Sequence, residues 1–428
     1  MSEVIEMLVQ VAKDDFHWTT MGEISNVIGG GTPRTSDPQN FEGGDIPWIT
    51  PADLSGYTEK FIAGGNRRIT SKGLESSAAR MLPTGAVLFT SRAPIGYVAI
   101  AKNPIATNQG FKSFVLKEGV LPEYVYWWLK GSKQKAESYA SGTTFLELSG
   151  ANAKKLPIPM VSLARQREIV AEIEKQFSRL DDAVANLQRV KANLKRYKAS
   201  VLKDAVEGRL VPTEVIASDG ERNPVWVPIS NAIRNLDQGW SPQCESESRS
   251  SSDEWAVIKT TAIQSMEFRA EENKLLPPGL VSRAHLSLMS GDLLITRAGP
   301  RTRVGVTCLV KSDFPKLMIC DKAYRLRAKL DVAIPAYLEV VLSSPTLLDG
   351  LDELKSGISD SGLNLTQKRF GELLVPLPSL AVQQCIVDEV DRRLSFVRGV
   401  EAEVDASLER AQALRQSTLA KVFSEGQI

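Results

Sequence analysis

The chain has 428 residues, of which 43% are hydrophobic and 24% charged, and its net charge at pH 7 is +1. This length fits two to four domains better than one core, and no apolar run approaches the roughly 20 residues that span a bilayer. The first residues, Met1–Glu6, are acidic where a signal peptide would be basic, so we expect a cytoplasmic protein.

The first globular region has a mixed pattern of strands and helices. Three β-rich runs bounded by glycine, proline or asparagine predict strands at Ala86–Thr90, Gly96–Ala101 and Phe111–Leu116. Pro122–Ser132 begins with proline and carries aromatic residues at helical spacing, which predicts a short helix. Together these elements predict an α+β module built on a twisted sheet.

A long helix is predicted after this module. From Leu163 to about Val206 the chain has neither proline nor glycine, and apolar residues recur in steps of three and four, which is typical of a coiled-coil seam. Gly208 follows as a C-terminal stop. A helix of about 40 residues is about 60 Å long, so it needs a partner of similar length.

The second half repeats this order, with three strands and a helix predicted over 292–343. Trp18 matches Trp226, and Ile169 matches Ile386 at the start of a second apolar stripe. The offset between the copies drifts from 208 at the tryptophans to 217 in the stripes, as expected for diverged copies with loop insertions. We predict domains at 1–160 and 211–378, followed by long helices at 161–210 and 379–428.

The two stripes predict a helix pair, although they are not identical. Glu401 stands where the first stripe has Val184, and Gly399 weakens the second helix locally. Pairing within the chain is favoured, because one chain supplies both helices at high effective concentration. Homodimerisation through either helix is the competing possibility.

No pattern in the sequence predicts catalysis or a metal site. The four cysteines form no close pair and only two histidines are present, so we expect reduced cysteines that pack as small hydrophobic residues. Gly29–Thr32 lacks the lysine of a phosphate-binding loop, and no nucleophile elbow occurs.

Positive charge is concentrated in two segments of the chain. Between Lys60 and Lys112 there are eight lysines or arginines and one acid, and between Arg297 and Lys329 there are nine against two. Two basic segments at similar places in a nearly neutral chain indicate two local anion-binding faces.

A series of short motifs runs through the first half of the chain: Gly29–Pro33, Pro47–Ile49 with Asp53, Gly85–Thr90 with Arg92 and Gly96, Asn108–Phe111, Ser141–Thr144, and Leu156–Pro159 joined to Gln166–Ile169. Taken in this order, the motifs resemble those of the specificity subunit of type I restriction-modification systems. Each motif is weak alone, but the likeness covers nearly the whole chain. In the second copy Asp321–Tyr324 stands where the first has Asn108–Phe111, and Trp240 stands at Gly31.

The resemblance implies an α+β fold: two similar α/β target-recognition domains separated by two long helices that form an antiparallel coiled coil. Each domain would read one half of a bipartite double-stranded DNA target. Two methyltransferase (modification) subunits, which bind S-adenosylmethionine and methylate adenine, would dock on the helices. Restriction/translocase subunits, which use ATP and Mg, would join this core. The chain itself would hold no cofactor or metal and perform no chemistry.

Candidate DNA contacts follow from the chemistry of duplex readout, in which arginine reads guanine and cations or hydroxyls bind phosphate. In the first module they are Thr32, Arg34, Arg67, Arg68, Ser91, Arg92 and Lys112; in the second they are Ser241, Lys259, Arg297, Arg301, Arg303 and Lys322. Arg92 and Arg297 are favoured, because they follow equivalent strands. Trp48, Trp127 and Trp128 are expected in the core.

The sequence suggests two alternative functions, each of which leaves part of the pattern unexplained. A non-enzymatic coiled-coil scaffold whose modules bind proteins would explain the helices but not the matched basic segments. A fused enzyme that reads and modifies DNA would need an Asn-Pro-Pro-Tyr type site and a glycine-rich cofactor loop, and the sequence lacks both.

Overall fold

A computed structural model describes residues 16–92, 94–142, 145–211, 225–357 and 359–424. The chain divides into two compact units, one formed by 1–187 with 406–428 and the other by 188–405. Each unit therefore contains one globular region, the first part of the long helix that follows it, and the last part of the other long helix. The acidic start at Met1–Glu6, Thr143, Thr144 and Pro212 lie outside the described residues.

Among the described residues, the first unit contains ten strands. They are β1 His17–Thr20, β2 Ser25–Gly29, β3 Ile46–Ile49, β4 Phe61–Ile62, β5 Arg67–Ile69, β6 Val87–Ser91, β7 Ile95–Ala101, β8 Ala106–Thr107, β9 Lys112–Leu116 and β10 Pro157–Met160. A five-stranded sheet has the order β2-β9-β6-β7-β4, a three-stranded sheet the order β5-β3-β8, and β1 pairs with β10. Short helices lie at Met21–Ile24, Ser71–Glu75, Pro122–Gly131, Lys133–Ser138 and Gly150–Lys155.

The second unit repeats most of this topology, with fourteen strands among its described residues. They are β11 Trp226–Pro228, β12 Ile233–Gln238, β13 Ala256–Ile258, β14 Ile263–Gln264, β15 Glu267–Phe268, β16 Asn273–Leu275, β17 Ser287–Leu288, β18 Leu293–Thr296, β19 Ala298–Gly299, β20 Thr307–Leu309, β21 Phe314–Met318, β22 Ala323–Ala328, β23 Leu363–Asn364 and β24 Leu374–Pro376. The main sheets have the orders β12-β22-β18-β20 and β16-β13-β21-β17, and β11 pairs with β24 as β1 does with β10. Its short helices are Pro335–Leu342, Pro345–Leu354 and Gln367–Gly371.

The two long helices span Leu163–Val206 and Leu380–Ser424. In the second unit Lys191 pairs with Asp405 at 2.6 Å and Lys198 with Glu401 at 2.5 Å, so the helices run antiparallel there. In the first unit Arg415 pairs with Asp181. Pairing within the chain, which the sequence favoured over homodimerisation, is thus confirmed.

Most predicted elements are confirmed to within one or two residues. The three strands of the first module are β6, β7 and β9, and the predicted short helix is Pro122–Gly131. Gly208 adopts a φ of +70° just after the first long helix, which is the left-handed conformation of a helix stop. Trp48 and Trp128 are buried and Trp127 is half-buried.

The four cysteines are free, as predicted. Burial raises the pKa of the Cys320 thiol to about 11 and raises that of Cys308 further, so both thiols stay protonated and pack as hydrophobic groups. No described helix is long and apolar enough to cross a membrane.

Equivalent residues make equivalent contacts in the two units. Tyr124 donates its hydroxyl to the carbonyl of Pro159 at 2.6 Å, and Tyr337 donates to Pro376 at 2.9 Å. Gly85 and Gly291 take φ values of +84° and +88° before matching strands, a conformation that favours glycine. The internal repeat read from the sequence is therefore a repeat of structure.

The register of one predicted match was wrong by one residue. The amide of Gly31 donates to Thr107 at 2.9 Å and that of Trp240 to Ile319 at 3.0 Å, an offset of 212 on the acceptor side. Cys320–Ala323 therefore matches Asn108–Phe111, in place of Asp321–Tyr324. The side chains at these positions differ in size and polarity between the two copies, so matching the sequences by residue type did not give the correct register.

Candidate nucleic-acid interface

A tight turn after β2 presents the first candidate side chains. A Cβ added to Gly30 would lie 2.0 Å from the carbonyl oxygen of Asn108, and one on Gly31 would lie 2.2 Å from the amide of Ala79. The glycines therefore allow the turn to pack against the core. Thr32 follows, exposed, and its hydroxyl donates to the side chain of Gln109. Arg34 is exposed two residues further on.

Arg67 is held over aromatic rings on the same part of the module. Its guanidinium carbon lies 4.6 Å from the ring centroid of Phe41 and 5.3 Å from that of Trp48. The Trp48 indole donates to the carbonyl of Gly31 at 3.0 Å, which ties this cluster to the glycine turn. The neighbouring Arg68 is exposed and donates to the carbonyl of Asp45.

Asp53 fixes the segment that precedes Arg67. Its carboxylate accepts the amides of Thr50 and Asn66, each at 2.8 Å, and the Thr50 hydroxyl at 2.7 Å. Burial acts to raise the pKa of this carboxyl, but the hydrogen bonds from Asn66 and Thr50 outweigh it and the pKa lies below its ordinary value. Asp53 is therefore a positioning residue, and it stays ionised at neutral pH.

A second cluster lies where β6 ends. Arg92 and Lys112 both face the carboxylate of Glu147, at 3.3 and 3.7 Å. One carboxylate cannot neutralise two cations, so a net positive charge remains. The amide of Ser91 donates to Gly110, the neighbour of Gln109, at 2.7 Å, which joins this cluster to the glycine turn. Ser91 itself is buried, and its hydroxyl has no hydrogen-bond partner among the described residues.

The second unit has a corresponding cluster around Arg297. The guanidinium donates to the carbonyl of Asp321 at 3.0 Å and lies 5.3 Å from the ring centroid of Tyr324. Its Nε is buried without a partner among the described residues. Ser241 accepts the amide of Asp321 at 3.1 Å, and the exposed Lys322 adjoins it. Ser241 follows a second glycine turn, in which a Cβ added to Gly239 would lie 2.2 Å from the carbonyl oxygen of Cys320. The glycine turn and the strand end are thus joined in both units.

Three other candidates of the second unit are engaged by neighbours. Arg301 pairs with Asp352 and Asp360. Arg303 donates to the carbonyls of Thr260 and Ile263 at 2.6 and 2.7 Å, and to the side chain of Gln264 at 3.2 Å. Lys259 lies 3.9 Å from Glu272. Arg303 has the fewest donors left for a ligand.

Arg92 and Arg297, which the sequence matched as following equivalent strands, are not equivalent. The backbone of Arg297 bonds to Lys322 and Leu365, as that of Ser91 bonds to Gly110 and Leu148. Ala298 pairs with Asn364, as Arg92 pairs with Glu147. Arg297 therefore occupies the position of Ser91, and Tyr324 that of Lys112. The first unit thus has Ser91 and Lys112 at two positions where the second unit has Arg297 and Tyr324, so the cation at this site lies on β9 in the first unit and just after β18 in the second.

The first of the two globular regions matches a known domain family. A family model for the type I restriction modification DNA specificity domain matches residues 13–196. This region, somewhat less than half of the chain, is therefore similar to the DNA specificity domain of type I restriction-modification systems.

Relatives match either one region or nearly the whole chain. The MjaIX specificity subunit of Methanocaldococcus jannaschii is 43% identical over 169 residues, 39% of this chain and 38% of that one. The EcoEI specificity subunit of Escherichia coli is 39% identical over 166 residues, 39% of this chain and 28% of that one. These two alignments thus span well under half of each relative. The EcoBI specificity subunit of Escherichia coli is 23% identical over 423 residues, covering 94% of this chain and 84% of that subunit.

Solved structures share the fold. A chain from a structure of a type I R-M system has a TM-score of 0.72 at 17% identity, over 96% of this chain and 98% of that chain. The HsdS subunit from Thermoanaerobacter tengcongensis has a TM-score of 0.51 at 17% identity, over 96% of this chain and 97% of that one. Both alignments cover nearly all of this chain, including both globular regions and both long helices.

Sequence reasoning missed several residues of these faces. Gln109 and Glu147 orient candidate side chains from distant parts of the chain, and only the fold brings them there. Phe145 is 79% exposed, beside Glu147. From the sequence alone, an aromatic residue at this position would be predicted to be buried. No local signal identifies Phe145 as exposed.

Proposed function

We propose that this subunit reads a bipartite double-stranded DNA target, with one half-site bound by each unit. The observation that carries the proposal is the repeated cluster of a glycine turn and a strand end. In the first unit it presents Arg92 and Lys112, and in the second Arg297 and Lys322. Cations beside hydroxyls and amides are the groups that contact phosphates and guanine edges.

The differences between the clusters support two different half-sites. Ser91 and Lys112 of the first unit are replaced by Arg297 and Tyr324 in the second, at positions with the same backbone hydrogen bonds. Arginine on a strand end can donate two hydrogen bonds to guanine, whereas lysine acts as a point charge. The two units would then prefer different bases.

The proposed contact set is narrower than the sequence suggested. Arg303 is left out because its guanidinium holds backbone carbonyls, and Arg301 because two carboxylates compensate its charge. Ser91 is buried and would act through its backbone only. The remaining residues are Thr32, Arg34, Arg67, Arg68, Arg92, Lys112, Ser241, Lys259, Arg297 and Lys322.

The paired helices are proposed as the docking surface for two methyltransferase subunits. Exposed apolar side chains support this, since Phe396 is 73%, Tyr197 44% and Val190 39% exposed on the long helices, and such residues mark interaction sites when they form patches. S-adenosylmethionine would bind in those partners. ATP and Mg would bind in restriction subunits that join the complex.

The chain is proposed to be non-catalytic and cytoplasmic. Within the described ranges, no group of three or more His, Cys, Asp or Glu side chains could hold a metal ion. The proposed role of the chain is to recognise DNA. This role requires correctly placed hydrogen-bond donors and acceptors and does not require a reactive group. Methylation and cleavage would belong to the partners.

A binding assay of the chain with its methyltransferase partner tests the proposal. We expect a shift of one bipartite DNA, weakened by salt in proportion to the phosphates contacted. A methylation-site survey should return one split sequence. Salt-independent binding, or no preference among sequences, would overturn the proposal and favour a protein-binding scaffold.

A further inference from the structure

The second unit contains a cavity that the reading of DNA does not use. Its volume is about 1120 Å³, and it lies between the long helices and the globular region of that unit. The floor is apolar, with Phe268 and Phe314 stacked edge to face at 5.4 Å between centroids. Leu202 and Leu394 line it from the two helices and are buried.

The first unit has a larger side chain at one position that lines the cavity. Trp127 packs against Phe177 at 5.1 Å between centroids, and the Trp127 indole donates to Glu174 at 3.3 Å. By the offsets of the matching helices, Leu394 stands where Phe177 does, and Val340, which does not line the cavity, stands where Trp127 does. The cavity is therefore lined by a smaller side chain at Leu394 than the first unit has at the matching position.

The rim of the cavity is positively charged. Five cations line it, namely Lys191, Lys195, Lys198, Lys311 and Arg398, against Glu267 and Glu401. Lys198 pairs with Glu401, and Lys191 with Asp405 outside the lining. Within the described ranges, Lys195, Lys311 and Arg398 have no carboxylate at ion-pair distance. The buried Glu339 interacts electrostatically with Lys311 and Arg398. Counting it with Glu267, Glu401 and Asp405, five cations still face four acidic side chains, so the rim keeps a small excess of positive charge.

A buried polar group adjoins the apolar floor. Ser343 lines the cavity at the end of the helix Pro335–Leu342 and is 6% exposed. Its hydroxyl has no hydrogen-bond partner among the described residues. Buried hydroxyls are normally paired, so this one is available to a ligand atom.

We propose that this cavity binds an amphiphilic anion of small-molecule size. Its apolar body would lie on Phe268, Phe314 and Leu394, and its anionic head would face Lys311 and Arg398. Sites of this kind are apolar with a few polar groups that fix orientation. The proposal is independent of DNA recognition, since none of these residues belongs to the proposed contact set.

Two matched probes test the site on the full-length chain. 8-Anilinonaphthalene-1-sulfonate and N-phenyl-1-naphthylamine share an aromatic body and differ in the sulfonate. Both should bind saturably at one site per chain, seen as a rise in fluorescence. Lys311→Glu with Arg398→Glu should weaken the anionic probe about fivefold or more and leave the neutral probe within about twofold.

A second variant fills the cavity with larger side chains. Leu348→Trp with Leu394→Phe, at two residues that line the cavity, should weaken both probes about tenfold or more, while Val281→Ser, at a residue 88% exposed elsewhere in the unit, should change neither. A thermal melt checks that each variant is folded. Undiminished binding to a folded filled variant would overturn the proposal. Equal weakening of both probes by Lys311→Glu with Arg398→Glu would also overturn the proposal. This second test does not depend on whether the filled variant folds.

Discussion

Gln166 and Gln383, 217 residues apart, make the same hydrogen bonds at the start of the two long helices. Each side-chain carbonyl accepts a backbone amide at 2.8 Å, from Leu121 and Ile334 respectively. Each side-chain amide donates to two carbonyls, in the first case those of Gly119 and Val161. Both glutamines are buried. A buried polar residue thus couples each helix to the module that precedes it.

Gln166→Ala and Gln383→Ala are each predicted to destabilise their own unit by about 1–3 kcal/mol, because a buried amide and two carbonyls lose their partner. Amide hydrogen exchange localises the effect. Exchange should rise around Leu121 in the first variant and around Ile334 in the second. Faster exchange at both sites in either variant would show that the bonds do not act within one unit.

Arg297→Ala is predicted to relax recognition of one half-site only. Loss of a bidentate arginine contact costs about 1–3 kcal/mol of base discrimination, and the Arg297 cluster is built entirely from the second unit. Methylation-site surveys of the variant complex should show degeneracy at positions in one half. Arg92→Ala, in the first unit, should affect the other half.

The charge-matched control for this experiment is Arg303→Ala. Because Arg303 holds backbone carbonyls of its own unit, this variant should lower stability and leave the preferred bases unchanged. Equal degeneracy in both halves after Arg297→Ala would contradict the modular assignment.

Local pattern was enough to predict the long helices and the strands next to the glycine turns. Leu163–Val206 was predicted with its observed ends, because an uninterrupted apolar stripe followed by Gly208 has few alternatives. The register at Asp321 was not predictable, because pairing of β18 with β22 decides it and the side chains there differ between the copies. Strand pairing is a long-range property, and one residue of slip reverses which face a side chain occupies.

The candidate contacts were predictable by residue type but not by environment. Arg34 and Arg303 look alike in the sequence as arginines near glycine-rich turns. In the fold Arg34 is exposed, whereas Arg303 holds the carbonyls of Thr260 and Ile263. Which arginine is available therefore depends on contacts distant in sequence.

Arg34→Ala is predicted to weaken DNA binding for all sequences and to reduce its salt dependence. Arg34 is exposed on the glycine turn, as expected for a phosphate contact. Loss of one such contact lowers the slope of log K against log salt by about 0.9. Fluorescence anisotropy titrations at several salt concentrations measure this slope. Arg301→Ala should leave the slope unchanged, because Asp352 and Asp360 compensate that charge; a smaller slope in this variant would place Arg301 back in the contact set.

Asp53 is predicted to make the first unit sensitive to acid. Its folded pKa is lowered, so the carboxylate adds stability at pH values above the ordinary aspartate pKa of about 3.9. That contribution is lost as the pH falls through the lower, folded-state pKa. Asp53→Asn should therefore destabilise the protein by about 1–3 kcal/mol at pH 7, and the difference from the parent should close on acidification. Chemical denaturation over a pH series measures this, with the exposed Asp45→Asn as a control that should match the parent. A difference that stays constant down to pH values below the folded-state pKa would show that the carboxylate charge does not hold the segment before Arg67.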